Sequence, residues 1–155
     1  MSELLKQWSL NRTDVKKFFN THFIYFFVIS LLYSGTLLAE LIDINNTELQ
    51  ELLNEKTLIV DVRRAEEWLE TGVIKGSQLL TFFDKNGNTN TEKWYSDISN
   101  LSDKKTPVIL ICRSGSRSKV IGNWMRRTLG YQTVYNVTDG ITGWKRSDGK
   151  TVMLE

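Results

Sequence analysis

Short, β-branched apolar runs recur along this chain, and each is followed by a helix-spaced pattern ending at a glycine. Leu58-Ile59-Val60-Asp61-Val62 is one such run and Pro107-Val108-Ile109-Leu110-Ile111 is another. Continuous apolar stretches of this length suit strands buried on both faces. The first leads into Arg63-Arg64-Ala65-Glu66-Glu67-Trp68-Leu69-Glu70, closed by Gly72. The second leads, through Cys112-Arg113-Ser114-Gly115-Ser116-Arg117, into a pattern over 118–129 with Gly130 as its C′ residue. Leu41–Ile44, Gln78–Leu80 and Thr133–Val137 supply further strands. Thr47 with Gln50 reads as a capping box ahead of Leu49, Leu52 and Leu53, and two more helices are expected around Trp94 and around Ile141 and Trp144. Alternating strands and helices predict an α/β fold with a mostly parallel central sheet and helices on both faces. In such folds ligands bind at the carboxyl ends of the strands, where Asp61 and Cys112 both fall.

Cys112 is the only cysteine of the 155 residues, so no intrachain disulfide or Cys-rich zinc site is available. Its place between a strand end and a helix start is chemically specific. Successive backbone N–H groups and a helix dipole there favour an anion, and Arg113 and Arg117 add positive charge. Such surroundings favour the thiolate of a cysteine. The plain alternative is a small buried hydrophobe, the common fate of free cysteine. The loop around it is too rich in glycine, serine and arginine for that to be its whole role. The single histidine, His22, lies far upstream, so residues 40–155 have no imidazole to activate a cysteine or serine.

Charge excludes other classes. Residues 40–155 carry 16 basic and 16 acidic side chains, and the net +2 of the chain comes from residues 1–39. A nucleic-acid partner normally leaves a basic footprint, and none is expected here. Asp84-Lys85-Asn86-Gly87-Asn88 resembles the start of a calcium loop. Thr89 stands where that loop needs glycine and Tyr95 where it needs glutamate. A plain Asn/Gly turn is expected, and no metal site.

The N-terminal segment has its own pattern. No formally charged residue lies between Phe18 and Ala39, and Lys16-Lys17 precede the run. A basic start, an apolar centre from Phe23 to Tyr33 and a small residue before Glu40 describe a secretory signal. Against it stand the long lead before the apolar run and Leu37 at the −3 position. The rival is an uncleaved anchor through residues 18–39, although Phe23 to Ala39 would span only about 25 Å as a helix. A buried core helix fits less well, because the run is apolar all round. The expected organisation is therefore a signal peptide or membrane anchor over 1–39 and a catalytic domain over 40–155. Either export reading puts the domain outside the cytoplasm, in a periplasm-like compartment, soluble if the segment is cleaved near Glu40 and membrane-anchored if it is not.

Three stretches together carry a resemblance. Asp61-Val62-Arg63, Glu66-Glu67-Trp68 and Gly72-Val73-Ile74-Lys75-Gly76-Ser77 resemble the opening signature of the rhodanese domain. Cys112 to Ser118 is similar to that family's active-site loop. Gly130-Tyr131, Val134-Tyr135-Asn136-Val137 and Gly140-Ile141-Thr142-Gly143-Trp144 resemble its closing signature. Val73 and Ser77 depart from the histidine and alanine common at those places. The resemblance implies a single-domain sulfurtransferase, with Cys112 as the sulfur carrier through a persulfide. Arg113, Ser114, Gly115, Ser116 and Arg117 are then the substrate cradle, with Asp61, Arg63 and Ser118 in support.

The chemistry that this implies needs no histidine and no cofactor. A thiolate attacks the outer sulfur of a small anionic donor such as thiosulfate, and a thiol or cyanide then takes the sulfur from the persulfide. Arg113 suits a sulfonate-bearing donor, while Arg63 and Arg117 could instead be structural, paired with Asp61 or Glu66. Two other functions share the scaffold. A cysteine phosphatase or arsenate reductase uses a C-x5-R loop, whereas Cys112 to Arg117 is C-x4-R, one residue shorter. A non-catalytic, membrane-tethered sulfur-carrier module would also keep the cysteine. The oligomeric state and the physiological donor and acceptor are left open.

Overall fold

The computed structural model describes residues 40–154. Five strands form one sheet: β1 (Glu40–Ile44), β2 (Leu58–Asp61), β3 (Gln78–Leu79), β4 (Val108–Ile111) and β5 (Thr133–Val137). Their order across the sheet is β1-β5-β4-β2-β3, and every neighbouring pair is parallel. Between them run α1 (Asn46–Asn54), α2 (Ala65–Thr71), α3 (Thr91–Leu101), α4 (Ser116–Trp124) and α5 (Gly140–Arg146). The expected doubly covered parallel sheet is the observed one.

Each strand divides its side chains between two cores with period two. From β4, Val108 and Leu110 enter a cluster with Trp94 and Ile98 of α3 and Ile121 of α4. Ile109 and Ile111 enter the opposite cluster with Leu49 of α1 and Ile141 and Trp144 of α5. Cys112 lies two residues beyond Leu110 and keeps its direction, so its side chain points to the α3–α4 face and joins that cluster. Phe82, Trp94 and Trp124 meet edge to face there, with ring centroids 5.1–5.8 Å apart.

Two local expectations are corrected. Helix α1 is capped by Asn45 and Glu48, not by Thr47 and Gln50. The Asn45 side chain accepts from the N–H groups of Thr47 and Glu48, and Glu48 Oε2 accepts from the Asn45 N–H at 2.8 Å. Thr47 is thus already inside the first turn, and Gln50 donates to Asn54 one turn on. The helix read over 118–129 begins at Ser116 and changes to a π-helical turn over Met125–Leu129. Gly130 ends it in a left-handed conformation, donating to the Met125 carbonyl.

Asp84 folds its loop as a turn, its carboxylate accepting from the N–H groups of Asn86 and Asn88 at 2.8 Å each. Val73 is buried and forms an antiparallel bridge with Val152, while the Ser77 hydroxyl is buried with no hydrogen-bond partner among the described residues. Residues 1–39, read as a signal or anchor, lie outside the described residues. Among the described helices none is long and apolar enough to cross a membrane.

Candidate active site

Strands β2 and β4 are adjacent, and Asp61 pairs in register with Ile111. Cys112 therefore leaves β4 beside the end of β2. It is fully buried at the base of the loop, with 0% of its surface exposed. The loop is pinned from behind by the turn into α5: the Ile141 N–H donates to the Cys112 carbonyl at 2.9 Å and the Thr142 N–H to the Arg113 carbonyl at 3.1 Å. Two glycines make this approach possible. A Cβ on Gly140 would lie 2.4 Å from the Cys112 carbonyl oxygen, and one on Gly115 would lie 1.9 Å from that of Thr138. Gly115 also has φ +84°, a backbone region that residues with a Cβ rarely occupy.

With the carbonyls of Cys112 and Arg113 engaged by α5, the loop has N–H groups to offer. Among the described residues, none of the N–H groups of residues 113–118 has a hydrogen-bond acceptor. They form a run of donors at the start of α4, the arrangement that binds anions. Ser114 and Ser116 are exposed at its rim, their hydroxyl oxygens 3.5 Å apart. The Ser118 hydroxyl is buried 3.3 Å from the Cys112 sulfur and completes the hydrogen bonding on the inner side.

The three arginines expected at the site differ. Arg63 is 1% exposed and all of its guanidinium nitrogens are engaged. Nε and Nη2 bond Asp61 at 2.7–3.0 Å, Nη2 also donates to the Gly72 carbonyl, and Nη1 donates to Thr71 Oγ1 and the Glu67 carbonyl. Arg63 and Asp61 are a buried framework. Arg117 corrects the expectation that it faces substrate or pairs with Asp61 or Glu66. Its fork is held by Glu67, with Nη1–Oε2 at 2.8 Å and Nη2–Oε1 at 2.6 Å. Glu66 pairs instead with Arg64. Arg117 thus adds only its backbone N–H to the run, while its side chain joins α4 to α2. The Arg117 guanidinium holds the Glu67 carboxyl far below its usual range, at about 2, and Glu67 raises Arg117 in return. Arg113 is exposed and, among the described residues, makes no ion pair or side-chain hydrogen bond.

Arg113 also lines a cavity of about 390 Å³ between α2 and α5, beside the loop. Glu67, Glu70, Thr142, Lys145 and Arg146 are among its other walls. Cationic side chains outnumber acidic ones there, which suits an anionic ligand approaching the loop. No group of three or more histidine, cysteine or carboxylate side chains converges among the described residues.

Sequence reasoning assigned no role to Glu67, Gly140 or Asn136, all of which support the loop. Asn136 carried a signal, being a polar residue inside the buried run of β5, where a polar group needs a partner. Glu67 carried none beyond its place in the first turn of α2.

Comparison with known proteins agrees with this geometry. The model of the rhodanese-like domain matches residues 45–147. An uncharacterized protein of Rickettsia prowazekii is 32% identical over 100 residues, 63% of this chain and 80% of that one. The thiosulfate sulfurtransferase GlpE of Tolumonas auensis is 36% identical over 42 residues, 27% of this chain and 39% of that protein. The crystal structure of a rhodanese-like domain protein from Staphylococcus aureus shares the fold, with a TM-score of 0.56 and 24% identity over 74% of this chain and 99% of that one. A parallel sheet in the order β1-β5-β4-β2-β3, a cysteine loop at its carboxyl end and a family match across two thirds of the chain lead to one assignment: the chain belongs to the rhodanese-like domain family.

Proposed function

We propose that this protein is a sulfurtransferase that moves a sulfane sulfur from thiosulfate, or a similar anionic donor, to a thiol or cyanide through a persulfide on Cys112. The observation that carries this reading is the run of N–H groups over 113–118, free of acceptors among the described residues and directly following the single cysteine. In the first step the Cys112 thiolate attacks the outer sulfur of thiosulfate. A new S–S bond forms, the sulfur–sulfur bond of the donor breaks, and sulfite leaves with the electron pair. In the second step an acceptor thiolate or cyanide attacks the outer sulfur of the persulfide and the Cys112 thiolate leaves. Both leaving groups are good at neutral pH, so stabilised negative charge rather than a proton donor is what the site must supply. Because the sulfur is buried, the donor enters by a path past the exposed loop side chains Arg113, Ser114 and Ser116. Arg113 guides it there. The local likeness to a thiosulfate sulfurtransferase supports the same substrate class.

The rival is phosphate or arsenate chemistry on the same scaffold. A C-x4-R loop is one residue short of the ring that cradles a tetrahedral phosphate, and the Arg117 side chain that would clamp phosphate is held by Glu67. Incubation with thiosulfate followed by intact-mass measurement is the test. Gain of one sulfur atom, released on adding thiol or cyanide, is expected. A protein that gains no sulfur but hydrolyses aryl phosphates would overturn the assignment. A residue inserted between Ser116 and Arg117 is expected to weaken sulfur transfer.

The proposal extends to location. The uncharged run from Phe18 to Ala39 after Lys16-Lys17 supports export, by a cleaved signal or an anchor. A fusion of residues 1–39 to a reporter active only outside the cytoplasm is expected to be active, and activity from a cytoplasm-only reporter alone would remove this part of the proposal.

A further inference from the structure

A line of buried polar groups runs from the Cys112 sulfur to the surface on the side away from Glu67. Ser118 Oγ lies 3.3 Å from Cys112 Sγ, 3.1 Å from the Gly115 carbonyl oxygen and 2.6 Å from Asn136 Oδ1. Both Ser118 and Asn136 are buried. Asn136 Nδ2 donates to Asp43 Oδ1 at 2.7 Å, and Asp43 Oδ2 accepts from Lys119 Nζ. The Lys119 and Asn136 bonds hold the Asp43 carboxyl below its usual range, so it is an ionised acceptor at neutral pH. That decides which way the Asn136 amide faces. Turned over, its carbonyl oxygen would meet the carboxylate.

A hydroxyl has one proton, and here three neighbours could use it. The Gly115 and Asn136 oxygens can only accept. The sulfur donates as a thiol and only accepts as a thiolate. In the thiol form S–H donates to Ser118 and Ser118 donates to Asn136. On ionisation the thiol proton passes to a buffer base, and the Ser118 proton must turn to the sulfur. Asn136 Oδ1 then loses its donor in a buried place, which is unfavourable.

We propose that Asp43 and Asn136 are positioning residues that compete with the Cys112 sulfur for the Ser118 proton, and so restrain the reactivity of the sulfur. The inference rests on Cys112 being the sulfur carrier and concerns how that sulfur is held between turnovers. Other charged groups near it are Arg113 next in the chain, Asp61 and Arg63 at the end of β2 and Arg117 on α4, all unchanged in the variants that test it.

The test is the rate of iodoacetamide alkylation of Cys112 in the full chain at one neutral pH, read by intact mass. In Asp43→Asn the amide of Asn136 can turn over and offer N–H to Ser118, whose proton then faces the sulfur. Alkylation is expected to be about three- to tenfold faster than wild type. Ser118→Ala is expected to be slower by a similar factor. The double variant Asp43→Asn/Ser118→Ala is expected to match Ser118→Ala, because the effect passes through the hydroxyl. Release of Lys119 could also speed alkylation, but that acceleration would survive in the double variant. An Asp43→Asn rate at or below wild type, or an acceleration that persists without Ser118, overturns the proposal. Alkylation needs no sulfur donor. A wild type that fails to load sulfur while keeping this pattern would therefore sink the sulfur-transfer reading alone.

Discussion

The turns that follow β2 and β4 begin alike and end differently. Both leave adjacent parallel strands at the same edge of the sheet, both carry arginine within two residues, and both enter a helix. After β2, Arg63 gives its donors to Asp61, Thr71 and two carbonyls, and nothing is left over. After β4, the carbonyls of Cys112 and Arg113 are engaged, but among the described residues the N–H groups over 113–118 and the Arg113 side chain are not. The first turn is closed on itself. The second is held from behind by α5, yet among the described residues its N–H groups beside Cys112 have no acceptor. Buried charge is stable only when fully paired, and a binding loop is useful only when it is not. The fold places the two side by side, so that the closed turn fixes the open one through Glu67 and Arg117.

Substitutions in the two turns should therefore separate activity from stability. The largest effect is expected from Cys112→Ser, which abolishes sulfur transfer from thiosulfate because serine is not ionised at neutral pH and cannot carry a sulfane sulfur. Its unfolding midpoint should stay near that of wild type, and residual transfer would show that the open turn is not the site. Arg63→Leu strikes the closed turn and leaves Asp61 charged and buried. A loss of about 3–5 kcal/mol in denaturant unfolding is expected. A loss below 1 kcal/mol would mean that the pair is not the framework that its burial suggests.

Glu67→Gln cuts the link between the turns. It should cost about 1.5–3 kcal/mol at neutral pH and lower sulfur transfer through the displaced start of α4. The Arg117 guanidinium holds the Glu67 carboxyl at about 2, below its ordinary 4.5. Its contribution is therefore fully present above pH 4.5 and is lost as pH falls from there towards about 2. The unfolding curves of wild type and Glu67→Gln should converge over that window, and a gap that stays constant would remove the linkage. The smallest effect is expected for Arg113→Ala. A several-fold rise in KM for thiosulfate with little change in kcat or stability would fit a guanidinium that binds ground and transition states alike. An unchanged KM would leave Arg113 outside the donor site.

Much of this is legible in the amino-acid sequence alone. The β-branched runs specify strands buried on both faces, and their alternation with glycine-ended helices specifies a parallel sheet. The place of Cys112 between a buried run and a helix start puts it at the carboxyl edge. What was misread was local. Thr47 and Gln50 matched a capping pattern, but Asn45 two residues earlier captured the same N–H groups. The pairing of Arg63 with Asp61 stood among the expected alternatives and is the observed one, since the two are two residues apart. That of Arg117 was not.

Periodicity thus determined the class of fold and the place of Cys112 at a strand end, and short motifs carried the family resemblance, because each motif is made of residues close together along the chain. Packing alone decided which groups meet around that sulfur. Glu67 reaches Arg117 across 50 residues and Asn136 reaches Asp43 across 93. Which of several similar carboxylates and amides does so depends on how the helices settle on the sheet. The same packing left the fork of Arg117 occupied and, among the described residues, that of Arg113 open, though in the sequence both are arginines of one loop.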